Sequence, residues 1–396
     1  MGVKVWIENA FNIAMVGFII FNLSRVPALV KHEHPTATNQ TTLAEETLLN
    51  KTGQLTESGW ARKPTKKIDP ATFGSVILGI GKLSPLKYRK SDEYVFFNSH
   101  FIVWVLARES SFSSNAAVAV YDRKTKSLYE RFGLQLGGLA NGSSLDDNVH
   151  HCPSNSAKFA KDGLTLNLET VTKAEECESI LTFPDEQGQE IRLDIRRNLA
   201  RESVTDVAPV SPDAKHWIHS FRAGAVEASL QVAGGKKQNG LASLSHLRSL
   251  QFYKSASLWG TGAGRVDGKP FALHFGVLNF HNSTRTSEDF FVLDGVTHKL
   301  DPLQLTYDKL NFMNGFSIAS YGSNAQAAED NVPLERKAEI VFRSTMHKHL
   351  GFNYFLLKNS YELVFGELTG WVTDEAGVKY SFEDIPAFIQ LNDFKA

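Results

Sequence analysis

The sequence predicts an all-β protein: antiparallel barrel or sandwich halves behind an N-terminal hydrophobic helix. Three observations carry this reading. Runs of β-branched and aromatic residues, alternating or continuous, recur along the chain with Asp-Gly and other turn signals between them. From residue 72 onward no sustained 3.6-residue period competes with them, and strands without intervening helices argue against a parallel sheet. Phe is abundant, at 27 residues against 4 Met, which suits packed strands and apolar cavities.

Residues 1–31 stand apart. No charge occurs from Asn9 to Ser24, and Val5–Ser24 spans 20 residues, about 30 Å as a helix, which matches a bilayer core. Trp6 at one end and Arg25 and Lys31 at the other fit interfacial anchors of a single-pass segment over residues 5–24, while Glu8, Asn9, Asn12 and Asn22 count against it. A signal segment ending near Val26-Pro27-Ala28 is the other reading. Lys4 before the segment and two cations after it do not fix its orientation.

Residues 32–71 read as a polar linker that ends by docking on the body through Trp60. Strand signals then come at 75–81, 93–109, 115–122 and 164–172, and at 179–197 with a hairpin turn at Gln187-Gly188. The stretch 198–215 is aperiodic and holds Pro209 and Pro212, so the halves are placed at 72–206 and 207–396. The second half centres on Leu244–Leu300. There Phe271, Leu273, Phe275 and Val277 alternate, and Asp267-Gly268 and Asp294-Gly295 supply the positive φ of tight hairpins.

A net charge of -1, from 42 basic and 43 acidic residues, carries no nucleic-acid signature. Cys152 and Cys177 belong to no CxxC pair, so a structural zinc site is not expected. They form either one disulfide in an oxidising compartment or two buried thiols. N-x-S/T sequons occur at Asn22, Asn39, Asn50, Asn141 and Asn282. No metal or cofactor is expected. His32 and His34 lie in the linker, and His150, His151 and Cys152 are adjacent residues that face opposite ways on an extended chain. His347 and His349 read as an exposed basic strand. Gly260-Thr-Gly-Ala-Gly264 precedes a strand rather than a helix, which excludes a dinucleotide loop, and no G-x-S-x-G elbow favours a Ser-His-Asp triad.

From Gly59-Trp60-Ala61-Arg62-Lys63-Pro64 onward the chain resembles the family known as domain of unknown function twenty-eight-zero-four. The same pattern includes an Asp-x-x-Arg-Gly segment and a W-x-W pair. With Trp259 on the second Trp, Arg248 falls on the family arginine, and Glu288 and Asp294 match further along the chain. Ser245, Ser249, Ser257 and Gln390 depart from the pattern, where an acid, a Gly, a Trp and a Glu are expected. The resemblance runs from about Leu55 to Gln390. It implies two lipocalin-like halves, distantly similar to carotenoid hydratase-like proteins, and an apolar ligand such as a lipid or isoprenoid.

Three functions are open on this reading. The first is a membrane-anchored protein that binds an apolar ligand without catalysis, through Trp60, Arg62, Trp259 and Phe275. The second is a hydratase or cyclase in which Arg248 stabilises charge and His274 or Glu288 moves protons. The third is an accessory subunit of a membrane complex.

Overall fold

The computed structural model describes residues 43–44, 46–50, 54–64, 66–67, 88–110, 113–136, 145–147, 149, 152–210, 216–250, 254–278, 288–320, 337–354 and 357–395. The N-terminal segment of residues 5–24 and the strand expected at 75–81 lie outside them. Among the described residues no helix is long and apolar enough to cross a membrane.

Three short strands come first: β1 (Glu46–Thr47), β2 (Gly59–Ala61) and β3 (Lys66–Lys67). Next come β4 (Tyr88–Phe97), β5 (Phe101–Ser110), β6 (Ser113–Asp122), β7 (Ser127–Leu136), β8 (Ser156–Lys161), β9 (Leu164–Lys173), β10 (Glu176–Pro184) and β11 (Glu190–Asn198). β12 (Val204–Pro209), β13 (Trp217–Val232) and β14 (Gln238–Leu250) complete this group. All but β1 and β3 form one antiparallel sheet in the order β7-β6-β5-β4-β14-β13-β11-β10-β9-β8, with β12 and β2 branching from β13. The sheet curls until its ends meet. Asp162, after β8, accepts a hydrogen bond from the Leu134 amide of β7, and Phe159 occupies the space a side chain at Gly133 would need.

The second sheet uses β15 (Lys254–Val266), β16 (Lys269–Leu278), β17 (Phe290–Leu293), β18 (Val296–Lys299), β19 (Leu303–Tyr307), β20 (Phe316–Ser320), β21 (Ala338–Tyr354), β22 (Leu357–Thr373) and β23 (Lys379–Lys395). Its order is β18-β17-β16-β15-β23-β22-β21-β20-β19. Asp267-Gly268 and Asp294-Gly295 have positive φ at both positions, the conformation of a type I′ hairpin, as their sequence requires. Residues 93–109 are not one strand but a hairpin, because Asn98 caps a turn by accepting from the His100 and Phe101 amides.

The change of sheet falls between Leu250 and Lys254, not at 206–207, because β12, β13 and β14 hydrogen-bond into the first sheet. The aperiodic stretch near 198–215 contains the short branch strand β12, which turns back onto β13.

Each sheet encloses a packed interior. Tyr94, Phe96, Val103 and Val105 face the first, and Phe271, Leu273, Phe275 and Phe291 the second. The intervening residues Val95, Phe97, Trp104 and Leu106 face the second sheet, where they meet Trp259, Phe290, Tyr361, Phe365 and Phe388. Both faces of β4 and β5 are covered here, which is why Tyr94–Phe97 and Phe101–Ala107 are continuous apolar runs rather than alternating ones. Phe388 stands among Trp104, Trp259 and Phe365 at 5.9, 5.7 and 5.2 Å between ring centroids. Such pairs contribute about 0.5–1.5 kcal/mol each beyond their burial.

A bulge in β13 between Ala223 and Val226 shapes this seam. Ala225 adopts φ 53°, an uncommon conformation for a residue with a side chain, and Gly224 beside it lies so close to β16 that an added Cβ would stand 2.7 Å from that of Ala272. Cys152 and Cys177 form a disulfide across a sequence separation of 25. A closed loop of that length contributes about 3–4 kcal/mol on the chain-entropy model.

Gly224→Val tests the close approach. The added methyl groups have no room between the sheets, and the expected loss is about 1–3 kcal/mol in urea unfolding, typical of overpacking. A melt indistinguishable from the native chain contradicts it.

Candidate functional site

The bulge delivers Arg222 into the seam. Arg222 Nη2 donates to Glu288 Oε1 at 2.5 Å across the two sheets, and Nη1 donates to Ser220 Oγ at 2.6 Å. Asp206, on β12, lies 3.9 Å from Arg222 Nη1 and accepts from Lys299 Nζ at 3.0 Å. The side chains of all four ionisable residues are at most 6% exposed.

Beside them lies a small cavity of about 10 Å³, room for roughly one water molecule. Its walls include Arg222, Ser245, Trp259, Thr261 and His274, with Glu93 from β4. His274 is sandwiched between the rings of Trp259 and Phe290, at 5.7 and 5.3 Å. Its Nε2 is buried without a hydrogen-bond partner among the described residues, and so is Glu288 Oε2. That carboxylate oxygen lies over Gly276, 2.8 Å from where a Cβ would be. Positions 274 and 276 share one face of β16, so the bare glycine lets the carboxyl stand on the same face as the imidazole.

Burial sets the protonation states. Desolvation, then the positive charges of Arg222 and Lys299, hold His274 well below the ordinary value of 6.5, so it is a neutral imidazole. Desolvation raises the Glu288 carboxyl above 4.5 against the pull of Arg222. Glu93 is raised too, chiefly by desolvation, although Arg108 and the Trp104 indole N–H oppose this. The site therefore pairs a neutral base with carboxyls that hold their protons more tightly than usual, next to a fixed guanidinium.

The residues singled out from sequence divide among four places. His274, Glu288 and Trp259 come together at the seam. Phe275 does not join them: it is fully buried in the interior of the second sheet, since neighbours on a strand face opposite sides. Arg62 lies toward the edge, donating to Glu202 and, at 3.3 Å, to Glu375. Both Arg62 and Lys299 approach the Trp60 ring, at 5.7 and 5.5 Å.

Arg248 belongs to a separate network. It is fully buried, donates to Asp92 Oδ1 at 2.7 Å and, through Nε, to the Asp146 carbonyl at 2.6 Å. Asn155 donates to the other Asp92 oxygen. Burial alone pushes Asp92 up, but Arg248 and His246 outweigh it and hold the carboxyl below the usual range. This network fastens the chain around residues 145–155, which the disulfide also ties to β10. Arg248 thus lies outside the seam, where the buried guanidinium is that of Arg222, whose partner is 66 residues away in sequence.

Sequence reasoning also missed Glu93, directly opposite Ser245 in the β4–β14 ladder, where the resemblance expects an acid. Gln390 pairs with Trp259 in the β15–β23 ladder, and Trp259 pairs with Gly276. Ser245 thus lines the cavity, and Gln390 lies across the ladder from Trp259, which also lines it. His347 and His349 both bond Glu362, at 2.8 and 2.7 Å, and no group of three metal-ligating side chains suited to an ion occurs among the described residues.

The family model described as Domain of unknown function (DUF2804) matches residues 38–395. The chain belongs to this family. No curated protein matches the DUF2804 chain in sequence. Among solved structures it is similar to CghA in complex with Sch210972, at 11% identity and TM-score 0.47, covering 81% of this chain and 93% of that one. It is similar to kievitone hydratase of Nectria haematococca at 10% identity and TM-score 0.35, covering 89% and 99%. An AttH-like protein of Nitrosomonas europaea is similar at 9% identity and TM-score 0.38, covering 83% and 99%.

Breaking the seam pair from one side tests its energetics. Arg222→Met strands Glu288 in a buried site at an expected cost of about 3–5 kcal/mol, whereas Arg222→Met with Glu288→Leu recovers most of it. Urea unfolding of the two variants decides this, and equal losses in both contradict the account.

Proposed function

We propose that this protein is an enzyme of acid–base chemistry, acting on a conjugated carbonyl group of an otherwise apolar small molecule, with water adding to or leaving the adjacent double bond. One observation carries the reading: a neutral His274 with an unpartnered Nε2 stands beside the raised carboxyl of Glu288 and the guanidinium of Arg222, all buried among aromatic rings. A site for passive apolar binding has no use for such groups, since burying each of them costs stability.

The cluster sets the sign of the developing charge. Lys299 and Asp206 offset each other, and in the form in which Glu288 carries a proton, which its raised carboxyl favours, Arg222 leaves a net positive charge. At an effective dielectric of about 20 a unit charge 4 Å away is worth about 4 kcal/mol. Aromatic faces offer a cation only about 0.5–2 kcal/mol. The site therefore favours an oxyanion, such as an enolate, over a carbocation.

In the hydration direction, His274 Nε2 accepts a proton from water as the water oxygen bonds to the β-carbon. Arg222 and the protonated Glu288 stabilise the enolate oxygen. His274 then gives that proton to the carbon next to the carbonyl as the enolate collapses, which completes the addition of one water and returns the imidazole to its neutral form. The cavity has the size of the attacking water, so an organic substrate must part its aromatic walls to enter.

The test incubates the full chain with a panel of apolar enones in water labelled with heavy oxygen. Conversion with label in the product is expected, and His274→Gln and Arg222→Gln should each lower it about 100-fold or more. The active form needs neutral His274 and protonated Glu288, so rate falls on both sides of a maximum. The acid limb lies below pH 6.5 and the alkaline limb above 4.5. No labelled product, or variants that match the native chain, contradict the proposal.

A further inference from the structure

Two features outside the seam bear on where this chain matures. The first is the disulfide between Cys152 and Cys177, which leaves no free cysteine. Disulfides persist in oxidising compartments and are rare where glutathione and thioredoxin keep thiols reduced. The second is the surroundings of Asn50, the acceptor position of the sequon Asn50-Lys51-Thr52. Leu48 and Leu49 are buried in a small cluster with Tyr88, Val207 and Trp217, and so hold this part of the chain against the body. Asn50 directly after them is exposed. Its backbone N–H bonds the Gln54 carbonyl at 2.9 Å, and a bridge joins Leu49 to Leu55. The acceptor Asn50 thus stands exposed directly after a pair of apolar anchors, its side-chain oxygen accepting from the Gln54 amide at 3.1 Å and its Nδ2 donating to the Gln54 side chain at 3.5 Å.

We infer that the β body matures in an oxidising, glycosylating compartment and that Asn50 carries an N-linked glycan. The inference is independent of the proposed reaction. Of the five sequons, Asn50 has the only acceptor among the described residues; Asn22, Asn39, Asn141 and Asn282 lie outside them. The transfer uses an oligosaccharide carried on a lipid-linked diphosphate. The Asn50 amide nitrogen bonds to the first sugar carbon, the carbon–oxygen bond to the diphosphate breaks, and the amide gives up one proton. The two thiols lose two protons and two electrons to a disulfide-bearing oxidoreductase by thiol–disulfide exchange. An uncharged glycan in solvent leaves the seam untouched, and Asn50 is exposed and makes no part of the core.

The experiment expresses the full chain in eukaryotic cells and treats it with a peptide N-glycosidase. The expected result is a gain in mobility on treatment, with residue 50 converted to Asp in the peptide mass spectrum. Asn50→Gln and Thr52→Ala should each remove one step of that shift. Alkylation before reduction should leave Cys152 and Cys177 unlabelled. An untreated chain with an unmodified Asn50, whether or not another sequon is occupied, overturns the glycan assignment. Full alkylation of both cysteines without reductant overturns the compartment.

Discussion

The contact between Arg222 and Glu288 sets the terms for the rest of this structure. It joins two curled sheets at a place where both have apolar faces turned toward each other, and an ion pair there gains little unless its geometry is held fixed. The fold holds it in three ways. The β13 bulge carries Arg222 across the gap, Gly224 lets the sheets approach, and Gly276 leaves the space above β16 that the Glu288 carboxyl fills. Ser220 takes one further N–H of the guanidinium. The aromatic seam around Trp104, Trp259 and Phe388 supplies the packing that stabilises this expensive polar cluster.

The same burial that makes the cluster costly makes it reactive. A histidine stacked between Trp259 and Phe290 and faced by two cations resists protonation, while desolvation in the same environment raises the Glu288 carboxyl above its ordinary value against the pull of Arg222. The imidazole and the carboxyl are thus both shifted toward their neutral forms in one small volume. Strain in the backbone at Ala225 adjoins this volume, in keeping with strained positions gathering at working sites.

The strands and their turns were legible because their signals are local: Asp267-Gly268 and Asp294-Gly295 each specify a hairpin with two residues. His274, Trp259 and Glu288 were legible as chemistry-bearing side chains near those turns. Arg222 was not, since its significance comes from a β-bulge and from a partner in the other sheet. Glu93 was hidden likewise by a ladder that sets it opposite Ser245. Phe275 was avoidable, because period-two alternation already puts it on the face opposite His274. Arg248 drew attention through a short motif, yet its fully buried bonds to Asp92 and the Asp146 carbonyl serve the chain around residues 145–155. The sheet boundary was displaced because an aperiodic stretch in sequence proved to hold a short strand of the same sheet.

The most direct test of the seam is a nuclear magnetic resonance titration of the His274 ring nitrogens in the native chain, assigned by comparison with His274→Gln. A buried imidazole beside Arg222 and Lys299 should stay neutral from alkaline pH down to well below 6.5. Because the unfolded chain binds that proton at 6.5 and the folded chain does not, stability should also fall as pH drops below that value. A ring that protonates at or above 6.5 would mean that the seam is wetted or that the cations lie elsewhere, and it would contradict the central claim that His274 is a buried neutral base.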